Sequence, residues 1–538
     1  MPYSVRETFP MSRESFTPPA SQNQTDVFAV HGADPEVLAY AMAKYSRSAL
    51  SMRESLAEIG AQRAEEFLNT FYFQYGHRSI ADLAHVAFAV ERLSLLAAIE
   101  LVDEQRWDGQ ERSTRYQNFL KSGWYLPDFG SDNASDELYR STVGNLFATY
   151  QQTTASVLEV LRQRIPRPAE MEEAAWLRTL RARAFDVARY LLPLATNTSL
   201  GQIVSARTLE TQISRLLSSP LAEIRDLAEK LRQAASGPAW LVRSQNEQNL
   251  ISFAASQPAT AAFAAIELGR EVRTAPTLVK YTTPHTYLQQ TNVELAQAAA
   301  ELLGSHVLAE APVVDLVERT ESLEIELAAT LLYSVAHHPY RQIRDLVAQL
   351  PEARINELVE LGLRHRGRHD EALRAFHAGA ALRFDILMDI GGFRDMHRHR
   401  RCTQIIQGFT SLHGYETPTH CDLPADVDLL AEAGALQSFQ SAIDQAHAAS
   451  ATISASQAPE AASSALYLLP LATRIRSLFK MDFAEAQYIS ELRSGPAGHF
   501  SYRRVAWEMF LTLQKQHPTL AKHIRVTDFT QPIDLLKR

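Results

Sequence analysis

The sequence predicts a helix-rich α+β fold built from two tandem units, each with helices packed on a small sheet. Apolar residues recur at helical spacing over long stretches such as 136–164 and 169–192, which stop at Pro166 and Pro193. The segment 277–284, TLVKYTTP, has the composition of a short strand followed by a turn. A seven-residue sequence occurs twice, and 538 residues exceed what one ordinary core accommodates.

The elements follow in order from the N-terminus. Residues 1–30 are rich in Ser, Thr, Gln and Pro without periodicity, which predicts a flexible tail. Asp34-Pro35-Glu36 has the form of a helix cap with proline at the first helical position, and helical spacing then continues to Phe73. Ser79 and Asp82 have capping-box spacing and predict a second helix start. Further helices are predicted over 220–235, 292–304 and 321–336. The apolar segment 383–390 could be strand or helix, because periodicity does not separate the two in so short a run.

The repeat defines the domain organisation. Tyr190–Thr196, YLLPLAT, recurs letter for letter as Tyr467–Thr473. Identity over seven positions favours duplication over coincidence in a Leu- and Ala-rich chain. We therefore expect two units, 31–290 and 300–538, with their junction within 270–315.

Composition limits the function classes. The chain is 46% apolar and 21% charged, with a net charge of −9, which disfavours a general nucleic-acid binder. Its two cysteines, Cys402 and Cys421, exclude a disulfide framework and a cysteine-rich zinc site, and they fit a reducing compartment. Neither a signal pattern nor an apolar run of membrane-spanning length is seen. We expect a cytoplasmic protein without nucleic-acid or membrane partners.

Two motifs carry candidate anion-binding chemistry. The run 394–401, RDMHRHRR, is dense in cations between two apolar segments, and guanidinium groups bind phosphate or pyrophosphate bidentately. A solvated basic turn is the alternative. Ser113 and Arg115 lie two residues apart, so in an extended loop both side chains could hold one phosphate; a surface turn is equally compatible. The dipeptide His369-Asp370 is a weak signal for a metal-dependent phosphohydrolase, and Cys421 has no nucleophile context.

These residues resemble the motifs of the flavin-dependent thymidylate synthases. That family's signature is R-H-R, two residues, Ser, four residues and S-x-R, preceded by a G-H-x-[ST] start and followed by A-R-x-x-L-P, N-x-R and L-R. The first half matches at Gly76–Ser79 with Asp82, Ser113–Tyr116, Ala188–Pro193 and Ser205–Arg207, and Arg215 aligns with the L-R arginine after a one-residue deletion. Asp103-Glu104-Gln105 stands in place of R-H-R.

The second half keeps the complementary motifs. Arg398-His399-Arg400 matches R-H-R, Thr403 matches the first serine, and Leu492-Arg493 matches L-R. The S-x-R, A-R and N-x-R elements are replaced at Gly408, Thr410, Leu466, Asp482 and Ala484.

The resemblance implies two flavin-dependent thymidylate-synthase-like units that share one composite site. It implies reductive methylation of dUMP to dTMP, with FAD as hydride carrier and methylenetetrahydrofolate and NADPH as co-substrates. Arg493 would be catalytic by polarising the uracil ring. The implied cofactor-binding residues are Ser79, Arg207, Arg398, His399, Arg400 and Thr403. The implied substrate-binding residues are Ser113, Arg115, Arg189 and Arg215. Because the family is tetrameric, two such chains would form a homodimer that imitates the tetramer.

Three other functions compete with this interpretation. The first is a flavin- or nucleotide-binding paralogue with altered or lost catalysis, and the second is a non-catalytic helical scaffold that keeps the repeated fold without a cofactor. The third and weakest is a metal-dependent phosphohydrolase that uses His369 and Asp370. The flavin content of the purified protein separates the scaffold from the two flavin-binding functions, which are the enzyme and its paralogue.

Overall fold

The computed structural model describes most of the chain outside its N-terminal region. The described residues are 32–44, 80–241, 245–257, 261–262, 272–317, 322–365, 373–376, 382–418, 422–424, 427–456, 459–521 and 524–536. The elements of the first half are α1 (Pro35–Lys44), β1 (His85–Ser94), α2 (Leu95–Val102), β2 (Asp108–Glu111), α3 (Asn133–Arg164), α4 (Glu173–Ala188), a 3₁₀ turn (Arg189–Leu191), β3 (Asn197–Ser205), α5 (Ala206–Leu217), α6 (Ala222–Ser236) and α7 (Gln245–Ala255).

The second half begins with extra helices before it repeats the same order. Its elements are α8 (Thr286–Leu303), β4 (Val314–Leu316), α9 (Leu323–Tyr333), α10 (Tyr340–Val347), α11 (Glu352–Leu361), a 3₁₀ turn (Arg374–Phe376), β5 (Leu382–Asp389), α12 (Ile390–Met396), β6 (Thr403–Ile406), α13 (Leu429–Glu432), α14 (Leu436–Ser454), α15 (Pro459–Ser464), a 3₁₀ turn (Ala465–Leu468), β7 (Arg474–Met481), α16 (Phe483–Ser494), α17 (Phe500–Gln516) and α18 (Pro518–Ala521).

In the described residues, each half forms one small antiparallel sheet. The strand order is β1-β3-β2 in the first and β4-β5-β7-β6 in the second. In both halves a strand runs directly into a helix, and the side chain that caps this helix is Ser94 in the first half and Asp389 in the second. The predicted helix-rich α+β class with two related units is confirmed.

The two copies of the repeated heptapeptide lie antiparallel against each other. Leu194 N–H donates to the Leu469 carbonyl at 3.0 Å, and Leu471 N–H donates to the Leu192 carbonyl at 3.0 Å. Pro193 and Pro470 face each other at the centre of this pairing. The exchange relates the halves by an approximate two-fold axis and joins them through main-chain atoms.

The apolar core continues across this junction. Residues of α2–α6 and of α12, α14, β7 and α17 belong to one buried cluster, and a second cluster fills the space among α8–α11. Because the halves share a core, the surfaces they present to each other are held in fixed positions. None of the helices in the described ranges is long and apolar enough to cross a membrane.

Two expectations about secondary structure are wrong, and one open question is settled. Residues 277–284 form turns instead of a strand, because the amides of Thr277 and Leu278 donate to the carboxylate of Glu36 at 2.8 and 2.6 Å. The helix start expected at Ser79 and Asp82 is a short turn leading into β1, and Ser79 itself lies outside the described residues. The ambiguous segment 383–390 is a strand as far as Asp389.

Candidate functional site

A cleft of about 1040 Å³ lies between the two halves. The first half contributes the turn before β2, the end of β3 and the start of α5; the second half contributes the loop between α12 and β6 and one face of α16. The lining residues used below are Asp82, Trp107, Asp108, Arg398, His399, Arg400, Glu485, Tyr488 and Arg493. A site of this construction needs both halves.

The loop between α12 and β6 makes one wall of the cleft cationic. Arg398 is exposed on this wall and has no acidic partner among the described residues. The Arg400 guanidinium lies over the Trp107 ring, 4.9 Å from its centroid, and 3.5 Å from the Asp108 carboxylate. Arg400 thereby connects the two halves, and Arg398 remains available to an anion.

Arg493 is oriented by a chain of polar contacts on the same wall. Its Nε donates to His399 Nε2 at 2.8 Å, and His399 Nδ1 lies 3.4 Å from the Glu485 carboxylate. Burial lowers the pKa of His399, and the nearby Arg493 and Arg400 lower it further against the opposing Glu485. We assign the neutral tautomer with its proton on Nδ1, because Nε2 accepts from Arg493.

Arg115 lies behind the cleft and bridges the halves. Its guanidinium forms a two-pronged ion pair with Asp186, with Nε–Oδ1 and Nη2–Oδ2 distances of 2.7 and 3.1 Å. Its Nη1 donates to the Tyr502 hydroxyl at 2.9 Å. The Tyr502 ring also lies 5.4 Å from the Arg493 guanidinium carbon, so Tyr502 connects Arg115 to the cleft.

Arg189 is buried, and the hydrogen bonding of its guanidinium is incomplete. Its Nη1 lies 3.4 Å from the Asp395 carboxylate, whereas Nε and Nη2 have no hydrogen-bond partner among the described residues. The guanidinium lies against Gly391 at the start of α12, where a Cβ would come within 3.5 Å of these two nitrogens.

The remaining predicted residues lie at the edge of the cleft or away from it. Arg207 forms an ion pair with Asp82 at 3.1 Å on the cleft edge. Thr403 is half-buried at the start of β6, and the Ser113 hydroxyl accepts from the Arg115 amide at 3.2 Å. The cleft therefore gathers Arg398, His399, Arg400 and Arg493. These assignments remain predictions.

In the first half, acidic residues stand at the position that Arg398–Arg400 occupy in the second half, and arginines pair with them. Asp103 binds Arg374 at 2.6 Å, and Arg215 binds Glu104 at 2.9 Å. Burial acts to raise the pKa of Asp103, but attraction to Arg374 and His397 outweighs it, and the net pKa is lowered. This position is closed by ion pairs, whereas its counterpart at Arg398 is open.

Sequence reasoning overlooked three aromatic or acidic residues at the cleft. Tyr488 packs edge-on to His399 at 5.7 Å, Glu485 contacts the same imidazole, and Trp107 supports Arg400. The i, i+3 spacing of Glu485 and Tyr488 places both on one face of α16 and was an available signal. Trp107 gave no such signal. In the described ranges no His, Cys, Asp or Glu cluster could hold a metal ion, and His369-Asp370 lies outside them.

Comparison with known proteins gives two kinds of similarity. Over most of its length the chain resembles UPF0159 proteins: one from Chlamydia muridarum at 27% identity (92% of this chain, 91% of the relative), one from Chlamydia pneumoniae at 26% (95% and 93%), and one from Thermoplasma acidophilum at 24% (90% and 94%). Among solved structures it is similar to the UMP/dUMP methylase PolB from Streptomyces cacaoi bound with 5-Br dUMP, at 18% identity and a TM-score of 0.27, over 37% of this chain and 84% of that one. It is also similar to thymidylate synthase X from Helicobacter pylori with FAD and dUMP, at 20% identity and a TM-score of 0.23, over 38% and 90%.

The family assignment confirms the resemblance seen in the motifs. The family described as "Thymidylate synthase complementing protein" matches residues 29–237 and again residues 315–519. One match falls on each structural half, and together they cover most of the chain. The chain therefore belongs to the thymidylate synthase complementing protein family, as a member that carries the family region twice.

Proposed function

We propose that this protein is an FAD-dependent, thymidylate-synthase-like enzyme that works at one composite cleft between its halves. The reaction is the reductive methylation of dUMP to dTMP, with methylenetetrahydrofolate and NADPH as co-substrates. The observation that carries the proposal is the open cationic wall at Arg398, faced by Trp107 from the other half. We expect the enzyme to act in the cytoplasm, where its cysteines stay reduced.

The residues at the cleft fit a flavin dinucleotide. A pyrophosphate needs guanidinium donors, and Arg398 is exposed without an acidic partner in the described part of the chain. Flat rings need apolar or aromatic walls, and the exposed ring of Tyr488 supplies one, while the buried Trp107 supports Arg400 from below. The cavity volume lies at the upper end of the range of about 300–1000 Å³ that is common for small-molecule sites. Arg398, His399 and Arg400 would hold the cofactor, with Thr403 and Arg207 at its margins.

When bound, the flavin supplies hydride transfer. The protein's own contribution is orientation and electrostatics. His399 fixes the direction of the Arg493 guanidinium by accepting from its Nε, which leaves the other N–H groups to polarise a carbonyl of the pyrimidine ring. In this role Arg493 stabilises negative charge that develops on the ring.

A reaction in which Arg493 activates the pyrimidine ring needs no cysteine nucleophile, and this fits the protonated thiol of Cys402. Burial raises the pKa of the Cys402 thiol to about 12, so it stays protonated at neutral pH and is a poor nucleophile. Its sulfur donates to the His399 carbonyl at 2.9 Å and supports the loop that carries the cleft arginines. Cys421 lies outside the described residues.

The nucleotide phosphate is proposed to reach the buried arginines behind the cleft. Ser113, Arg115 and Arg189 are the family positions for this role, and the partnerless Nε and Nη2 of Arg189 support it. The ion pair between Arg115 and Asp186 has to open or to share its guanidinium when the phosphate arrives. Arg215 is held by Glu104 and is proposed to join only after that contact is released.

Two measurements test the proposed activity, and a third tests the proposed assembly. The purified protein is expected to be yellow and to release FAD on denaturation. It is then expected to release tritium from 5-labelled dUMP only when methylenetetrahydrofolate and NADPH are both present. A colourless protein that FAD does not reconstitute would overturn the proposal. Light scattering after gel filtration is expected to show a homodimer, and a monomer would contradict the pseudo-tetramer.

A further inference from the structure

We propose that the second half holds a separate binding site for a phosphoryl group, formed by His337, His413, Arg474 and Arg476. None of the four belongs to the motifs that relate the chain to its family. The cleft arginines precede β6, whereas this cluster lies beyond the other end of that strand. The inference does not depend on the proposed enzyme activity.

Three different segments bring the four side chains together. Arg474 and Arg476 are two residues apart on β7, which places them on the same face of the strand. His413 comes from the loop after β6, and His337 from the connection between α9 and α10. The two imidazoles pack edge to face with ring centroids 6.2 Å apart. Gln407 ties the segments together, because its Nε2 donates to the His338 carbonyl at 3.1 Å.

The cluster carries buried nitrogens whose hydrogen bonds are not made. Nε of Arg474, Nε of Arg476, Nε2 of His413 and Nδ1 of His337 have no partner among the described residues. Arg476 is only 3% exposed, so water does not reach its guanidinium freely. A buried polar group left without a partner destabilises the folded protein. The two guanidinium Nε atoms can only donate, and each neutral imidazole can donate through one nitrogen, so these donors together can hold an acceptor.

The local charge favours an anion over a cation. Asp385 binds Arg476 at 3.1 Å, but it also accepts from the Tyr333 hydroxyl and the Tyr340 amide, so its oxygens are already occupied. Burial lowers the pKa of His413 to about 4, and Arg476, His337 and Arg474 contribute in the same direction. Burial is the main cause of this shift, and the neighbouring positive charges add to it.

Glu416 and His338 are the other titratable groups near the cluster. The pKa of Glu416 is raised by its burial and by Asp389, and it is drawn down by Arg504 and Arg474, with which it forms no close ion pair in the described structure. The pKa of His337 is lowered mainly by burial, and the neighbouring His338 lowers it further. Neither group supplies the missing acceptor.

At the corresponding place in the first half, the protein's own side chains satisfy each other's hydrogen bonds. Main-chain bonds establish the correspondence: the Arg474 amide donates to the Gly414 carbonyl as the Asn197 amide donates to that of Gly123. In the first half the Arg112 guanidinium occupies this region and is satisfied by Ser122 at 2.8 Å. In the second half Gln407 stands in place of Arg112, and the arginines at this place, Arg474 and Arg476, come from β7. The hydrogen bond that Arg112 makes to Ser122 therefore has no counterpart in the described part of the second half.

The loop after β6 borders the site, and part of this loop is exposed to solvent. Gly408 is exposed, and a Cβ added there would meet only His337 Cε1, at 3.9 Å. Leu412 is 64% exposed at the tip of the same loop. Guanidinium and imidazole N–H groups in this arrangement suit a doubly charged phosphoryl group, either inorganic phosphate or the terminal phosphate of a small metabolite.

Calorimetric titration of the full-length protein tests the site, with inorganic phosphate in one arm and AMP in the other. We expect binding of phosphate, reduced at least tenfold by Arg474→Gln and by His413→Gln. Arg162→Gln removes a positive charge from the exposed face of α3 and is expected to bind like the wild type. Equal affinities in the two arms indicate that the site contacts only the phosphoryl group. Tighter AMP binding indicates a phosphorylated metabolite, and weaker AMP binding indicates inorganic phosphate.

The cleft has to be separated from this site in the same experiment. Arg398→Gln is expected to keep phosphate binding even where it loses flavin, so failure of the proposed function leaves this inference standing. The inference is overturned if phosphate does not bind, if Arg398→Gln abolishes binding, or if folded His413→Gln protein binds as tightly as the wild type. Circular dichroism of each variant verifies folding.

Discussion

Arg493 Nε and His399 Nε2 are 2.8 Å apart, although the two residues belong to different elements of the second half. The imidazole is in turn positioned by Glu485 on the same helix as Arg493. The Nε–H of Arg493 thus binds His399, and its Nη N–H groups can bind a ligand in the cleft. This division of donors underlies the first prediction.

Replacing Arg493 with lysine is expected to lower turnover at least a hundredfold while flavin remains bound. An ammonium keeps the charge but cannot bind His399 and a ring carbonyl in one fixed plane. Loss of one preorganised donor commonly reduces kcat by about 10²–10³. Tritium release and visible absorbance, measured on the same preparation, separate the two effects. Unchanged turnover would remove Arg493 from the catalytic role.

Replacing Arg398 with glutamine is expected to abolish flavin retention with little change in stability. The side chain is exposed and makes no ion pair among the described residues, so its loss leaves no buried charge behind. Absorbance near the flavin maximum after gel filtration gives the readout. Arg504→Gln is the matched control, because Arg504 is a partly exposed arginine of α17 that pairs only loosely with Glu508 at 3.8 Å. Equal flavin loss in both variants would argue against a specific contact.

Replacing Arg115 with methionine is expected to destabilise the protein by about 3–5 kcal/mol, because the buried Asp186 carboxylate loses its two-pronged partner and keeps only the longer contact with Arg183 at 4.0 Å. Both side chains are less than a tenth exposed. The double variant Arg115→Met, Asp186→Leu is expected to recover much of that loss, since it removes the stranded charge. Urea unfolding of the two variants gives the comparison. A double variant no more stable than the single one would show that the arginine acts through packing.

Lowering the pH from about 6.5 to 4 is expected to destabilise the protein in part through His413. The folded pKa of this imidazole is about 4, below its ordinary value of about 6.5. Between these values the unfolded chain binds the extra proton and the folded chain does not, so the free energy of unfolding falls as the pH falls. His413→Gln is expected to show a shallower fall than the wild type over this window. Identical slopes would mean that His413 titrates normally.

The sequence was sufficient for those parts of the fold that depend on local pattern. The long helices α3 and α4 carry helical spacing over many turns, and the predicted ranges agree with the observed ones to within a few residues. The cationic wall was accessible for the same reason, because Arg398 and Arg400 are neighbours in one motif. The heptapeptide repeat likewise indicated that the chain has two related halves.

Contacts between distant segments were beyond this reasoning. Residues 277–284 have strand composition, but their amides turn toward Glu36, which lies some 240 positions earlier. Arg115 finds its partner Asp186 71 positions away, and Trp107 meets Arg400 only because the halves close on each other. Local propensity contains no information about such partners, since each is set by tertiary packing.

The pairing of Pro193 with Pro470 has a consequence for how this molecule could change over time. The seam consists of amides and carbonyls, which are the same for every residue except proline. Side chains away from this buried junction can therefore change without disturbing the register of the two halves. A duplicated chain joined in this way can let one copy specialise in cations and the other in acids. The backbone pairing stays symmetric while the charged side chains of the two halves differ.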